Sequence, residues 1–179
     1  MEAVLANLQN DSTMVAYWND LKLFFQRAGA FPDNKVVLHV EPDMWGYVHQ
    51  RATGDNATTV GARVGGTGIA ELAGLPDNMG GFAKAVVRLR DTYAPNVVLG
   101  YHMSIWGTGV DIQWSQTDNP TTDALATRAG NFYNSLGANF DITFAEFSDR
   151  DSGLKQVING LGTTLWFDAE DFARHARFL

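Results

Sequence analysis

The chain contains no cysteine. That absence excludes disulfides, thiolate metal sites and a cysteine nucleophile, and it leaves the compartment, secreted or cytoplasmic, undecided. Positive charge is scarce: 13 Lys and Arg against 20 Asp and Glu give a net charge of −7 and a pI near 4.9. Phosphate neutralisation needs clustered Lys and Arg, so nucleic acid is not expected as a partner. No apolar run approaches the roughly 18–20 residues of a membrane span, so a membrane is not expected either. Met1-Glu2 opens directly into Ala3-Val4-Leu5 without a basic leader, so no signal peptide is expected. Several catalytic spacings are also missing. There is no Gly-x-Ser-x-Gly turn, no His-x-His and no His-Glu-x-x-His, and Gly66-x-Gly68 is followed by Glu71 where a dinucleotide fingerprint has a third glycine. No cofactor is therefore expected.

What is present is a globular composition. At 179 residues, with 45% apolar and 18% charged side chains, the chain is large enough for one domain with a substantial core. Helical spacing of Met14, Tyr17, Trp18, Leu21, Phe24, Phe25 and Ala28 predicts a helix over 13–28, capped by Asp11 or Ser12. A strand over 35–41 follows the break at Phe31-Pro32-Asp33-Asn34. A polar, glycine-rich connection covers about 50–78, with a short helix near 67–73; connections of this length are usually functional or mobile. Further helices are predicted over 80–93, 122–136 and 168–178, and further strands over 97–103 and 141–147.

Alternation of helix and strand implies parallel strands joined by right-handed crossovers, with ligands at the carboxyl ends of the strands. The strand-to-helix loops hold most of the Trp, Asp, Glu and His, whereas joins such as Ala94-Pro95-Asn96 are terse. This asymmetry favours a TIM-type (β/α) barrel with long βα loops. Three strands cannot close a barrel of about eight. Residues 1–179 thus read as one α/β domain, a partial or half barrel. A lone half exposes strand edges and an apolar lumen face, which a homodimer would cover.

The most informative stretch is Lys35-Val36-Val37-Leu38-His39-Val40-Glu41-Pro42-Asp43-Met44-Trp45-Gly46-Tyr47, an apolar run ending in carboxylates, a proline and aromatics. A buried strand needs Val and Leu, not Glu and Asp at its end. Alternation groups His39 with Glu41, and Gly100 with His102, on the lumen face. In the third strand, strict alternation points Asp149 inward and Glu146 outward unless a bulge intervenes.

Val40-Glu41-Pro42 at a strand end resembles the Asn-Glu-Pro signature of clan A, the large clan of retaining (β/α)8-barrel glycoside hydrolases. The resemblance implies that Glu41 is the general acid/base. It departs from the family at Val40, where the family has an Asn that contacts the sugar 2-hydroxyl. The family's nucleophile lies three strands further on, and only two strands follow Glu41 here.

Physical reasoning reaches the same class independently. Glycoside hydrolysis uses two carboxylates flanking the bond. Glu41 with Glu146 or Asp149 could form the pair, with His102 nearby. His39, Asp43, Trp45, Tyr47, Trp106, Asp111 and Trp114 would bind a carbohydrate substrate by stacking and hydrogen bonding. One rival chemistry is a metal-dependent ester or phosphoester hydrolase using His39, Glu41, His102 and Asp149. A non-catalytic carbohydrate-binding barrel fragment is another. The plainer readings are a solvated strand end at Glu41 and Asp43, a hydrogen-bonded lumen residue at His102, exposed His49 and His175, and packing roles for Trp18 and Trp166. Asp168 to Asp171 reads as the acidic first turn of a helix.

Overall fold

The computed structural model describes residues 2–147, 149–163 and 166–179, with the side chains of 149–152 and 155 left aside. Three strands, β1 (Val36–His39), β2 (Val97–His102) and β3 (Ile142–Phe144), form one parallel sheet in the order β1-β2-β3. Val36 pairs with Val97 and Gly100 with Ile142. Seven α-helices accompany it among the described residues: α1 (Glu2–Gln9), α2 (Asp11–Gly29), α3 (Pro42–His49), α4 (Met79–Tyr93), α5 (Asn119–Ser135), α6 (Asp149–Asn159) and α7 (Ala169–Phe178). The fold is therefore α/β with a parallel sheet. No described helix is long and apolar enough to cross a membrane.

Val97, Leu99 and Tyr101 point into the main core with Trp18 and Phe25 of α2 and with Phe82, Val86 and Leu89 of α4, all of them buried. Each such side chain contributes about 1.5–3 kcal/mol by leaving water. The opposite face carries Val37, His39, Val98, Gly100, His102, Ile142 and Phe144. Val37 is 52% exposed and Ile142 39%, so among the described residues this side is open at those positions, while His102 on the same side is buried.

The helix ends are closed by side chains. Asn10, not Asp11 or Ser12, caps α2 by accepting from the Thr13 amide. Asn78 and Asp118 do the same for α4 and α5. Asp168 and Asp171 form a capping box on α7, in keeping with an acidic first turn.

The long connection after α3 is packed, with four short 3-10 turns and buried Ala57, Val60, Ala62, Val64 and Leu72. Asp77 accepts from the Val64 and Gly66 amides and pairs with Arg63, while the Trp18 indole donates to the Arg63 carbonyl. Its many polar residues hold the connection in place.

Two further expectations are corrected. α3 occupies a stretch read as an aromatic loop, because Pro42 and Asp43 serve as its first turn. The third strand faces the other way. Asp141 accepts from the Leu99 amide (2.7 Å) and from Arg90 of α4 (2.6 Å), which fixes it away from the open face. Phe144, beside His102 in the register, turns to the histidine side.

Candidate functional site

The carboxyl ends of the strands gather His39, Glu41 and Asp43 from the β1–α3 junction, His102 from β2, and Phe144 and Glu146 from the end of β3. Val40 continues the ladder by donating to the Gly100 carbonyl, and its own carbonyl accepts from the Trp45 indole at 2.7 Å. Those two bonds anchor the chain immediately before Glu41, which adopts φ 42°, ψ 65°. A left-handed conformation in a non-glycine residue is uncommon and strained, and it ends the strand abruptly.

Tyr17 of α2 meets Glu41. Its ring is held between Trp18 (centroids 5.1 Å) and Phe82 (5.6 Å). Burial raises the Tyr17 phenol well above its ordinary range, and the neighbouring Glu41 carboxylate raises it further. Tyr17 is thus a neutral phenol beside Glu41 across the physiological range.

His39 Nε2 and His102 Nδ1 lie 3.0 Å apart. Phe144 stacks on His39 (4.1 Å, 26°) because Gly100 has no side chain: a Cβ there would lie 2.2 Å from the Phe144 ring. Glu146 Oε2 stands 4.0 Å from His102 Nε2, so the carboxylate that strict alternation pointed outward faces the histidines. Burial lowers the His39 pKa, opposed by Glu146. Burial and then repulsion from His39 lower that of His102, opposed by Asp43. Both imidazoles are neutral near pH 7, which suits one N–H donating to the other ring.

Two clefts border Glu41. The larger, about 360 Å³, runs between α1, α2, the start of α3 and Phe82. The smaller, about 130 Å³, is lined by Tyr17, Asp20, Leu21 and the end of β1 from Leu38 to Glu41.

Other expected site residues lie elsewhere or are otherwise engaged. Trp45 is 1% exposed and packs against Phe82, Tyr101 and Phe140, so it is a core residue and not a sugar platform. Tyr47 and Trp106 are half-buried and meet each other at 4.9 Å; the rim of the Trp106 indole lies against Gly46, where a Cβ would be 2.4 Å from the ring. Asp111 accepts from the Gln113 and Trp114 amides and shapes that turn. Trp114 is exposed. Asp149 opens α6, and its side chain lies outside the described residues.

The two histidines read as exposed are buried. His49 bonds Asp55 (3.0 Å) and stacks on Phe132, with Asp55 clasped in turn by Arg128. His175 is fully buried on α7, where its Nδ1 donates to the Asp171 carbonyl. Trp18 packs as expected, whereas Trp166 is exposed and donates to Gln156.

Tyr17 and Phe144 were missed among the site residues because each sits in an apolar pattern that reads as core. The conflict of a Glu, a Pro and an Asp closing an apolar strand was the available signal.

Among the described residues no three His, Asp or Glu side chains converge to hold a metal ion. The two histidine nitrogens approach each other, while Glu146 stands by the far nitrogen of His102. No family model matches the chain, and no curated protein or solved structure matches it.

Proposed function

We propose that the protein is a glycoside hydrolase-like enzyme in which Glu41 is the general acid/base and Glu146 the partner carboxylate. The observation that carries this reading is the strained left-handed Glu41 at a strand end, beside the neutral Tyr17 phenol and bordered by two clefts. Strain of this kind persists where the surrounding structure over-determines it, and functional sites are where it collects.

The three strands in sequential order, helices against one face and the other face open, support a partial (β/α)-barrel. On that architecture His39, His102, Asp43 and Glu146 lie where a barrel presents its site. The neutral histidine pair gives hydrogen-bonding groups for sugar hydroxyls.

A panel of chromogenic glycosides and esters, with and without chelator, tests the reading. Chelator-insensitive release from glycosides, reduced by about 100-fold or more in Glu41→Gln, is the expected result. Release from esters alone that chelator abolishes would support metal-dependent hydrolysis. Glycan binding with tryptophan quenching and no turnover would support a carbohydrate-binding module.

A further inference from the structure

The larger cleft beside Glu41 is built differently from the histidine side of the site. Its walls are Val4 and Leu8 of α1, Met14 of α2, Met44 of α3 and Phe82 of α4. Glu41 and Asp43 are the charged groups on its lining, the Tyr17 phenol lies beside Glu41, and the exposed Asn7 and Thr13 stand at its rim. A volume of about 360 Å³ suits a ring with short substituents. A sugar placed here would leave most of its hydroxyls against methyl, thioether and phenyl groups without partners, which is unfavourable. An apolar body bearing one oxygen at Glu41 suits the apolar walls and leaves the exposed Asn7, Thr13 and Asp43 to water.

We propose that this cleft binds an aryl or short alkyl group whose ether or hydroxyl oxygen lies at Glu41. Resting on the hydrolase reading above, that group is the leaving group of the glycoside, so the substrate class is an apolar aglycone joined to a sugar. A general acid delivers its proton to the leaving oxygen, and the space bordering the acid receives what departs. The glycosidic C–O bond breaks with its electron pair on that oxygen, which takes the Glu41 proton and leaves as a phenol or alcohol. A solvent water supplies the hydroxyl that ends on the sugar carbon, and the proton it loses returns to a carboxylate.

The test uses free 4-methylumbelliferone as probe, by equilibrium dialysis, and the variant Thr13→Trp, which fills the rim from an exposed position and leaves Glu41 intact. The inference expects saturable binding to the wild type that Thr13→Trp weakens at least about tenfold. It also expects KM for a 4-methylumbelliferyl glycoside to rise by a similar factor, with the methyl glycoside unaffected. A second plug, Val4→Trp, reports the same loss if Thr13→Trp fails to fold. Absence of saturable binding, or binding that neither plug alters, overturns the inference even if glycosides are hydrolysed. Binding that the plugs remove, without hydrolysis of any glycoside, supports the apolar site and overturns the hydrolase reading.

Discussion

Glu41 holds a backbone conformation that an L side chain adopts only under constraint, and the constraint is visible residue by residue. Val40 is pinned on both sides and Pro42 starts a helix. The conformation carries a strain of order 1–3 kcal/mol. Glycine adopts it without that strain, so Glu41→Gly should raise the stability by about 1 kcal/mol, read as a higher urea midpoint, while abolishing hydrolysis. A lower midpoint would mean that the carboxylate is itself structural. The histidines give a pH dependence of known sign. Burial lowers the pKa values of His39, His49 and His102, so the unfolded chain binds more protons as pH falls. Their contribution is complete above the ordinary histidine value of about 6.5 and is lost as pH drops through their folded values. Urea midpoints at pH 7 and pH 5 should show that decline, and His102→Gln should flatten it.

At the scale of elements, two glycines distinguish packing from mere permissiveness. Gly100 lies under the Phe144 ring in the central strand, and a methyl group there would push Phe144 off His39. Gly100→Ala should destabilise by about 1–3 kcal/mol in thermal or urea unfolding. Gly130 sits inside α5 with open space around it, so Gly130→Ala should stabilise by about 0.5–1 kcal/mol. The reverse order of the two variants would contradict the register of β3 against β2. The three strands and the helices α2, α4, α5 and α7 were legible because β-branched runs and helical spacing are local signals. α1, α3 and α6 were not. In α3 the only cue was Pro42 followed by Asp43, which also reads as a strand end. The facing of β3 was illegible for a different reason: Asp141 is fixed by Leu99 and Arg90, distant partners that no local pattern records. Of the site, Glu41, Asp43, His39 and His102 were readable from sequence, whereas Tyr17 was hidden in a helix face indistinguishable from core.

At the scale of the whole molecule, the sheet is covered on one side and open on the other. Val37 and Ile142 on the open face, and Leu154, Val157 and Ile158 on α6, leave apolar surface in water. Surface of this kind commonly marks an interface, and a twofold pair of molecules would cover both open faces. Sedimentation at micromolar concentration should therefore return the mass of a dimer, and a monomer would count against that pairing.

The central claim is that Glu41 supplies acid/base catalysis at a glycosidic bond, and one comparison tests it most directly. Initial rates on a 4-methylumbelliferyl glycoside panel are measured for the wild type and Glu41→Gln, both in chelator, with folding checked by circular dichroism. The account predicts measurable release by the wild type and a loss of about 100-fold or more in a folded variant. Equal rates for the two proteins would contradict it.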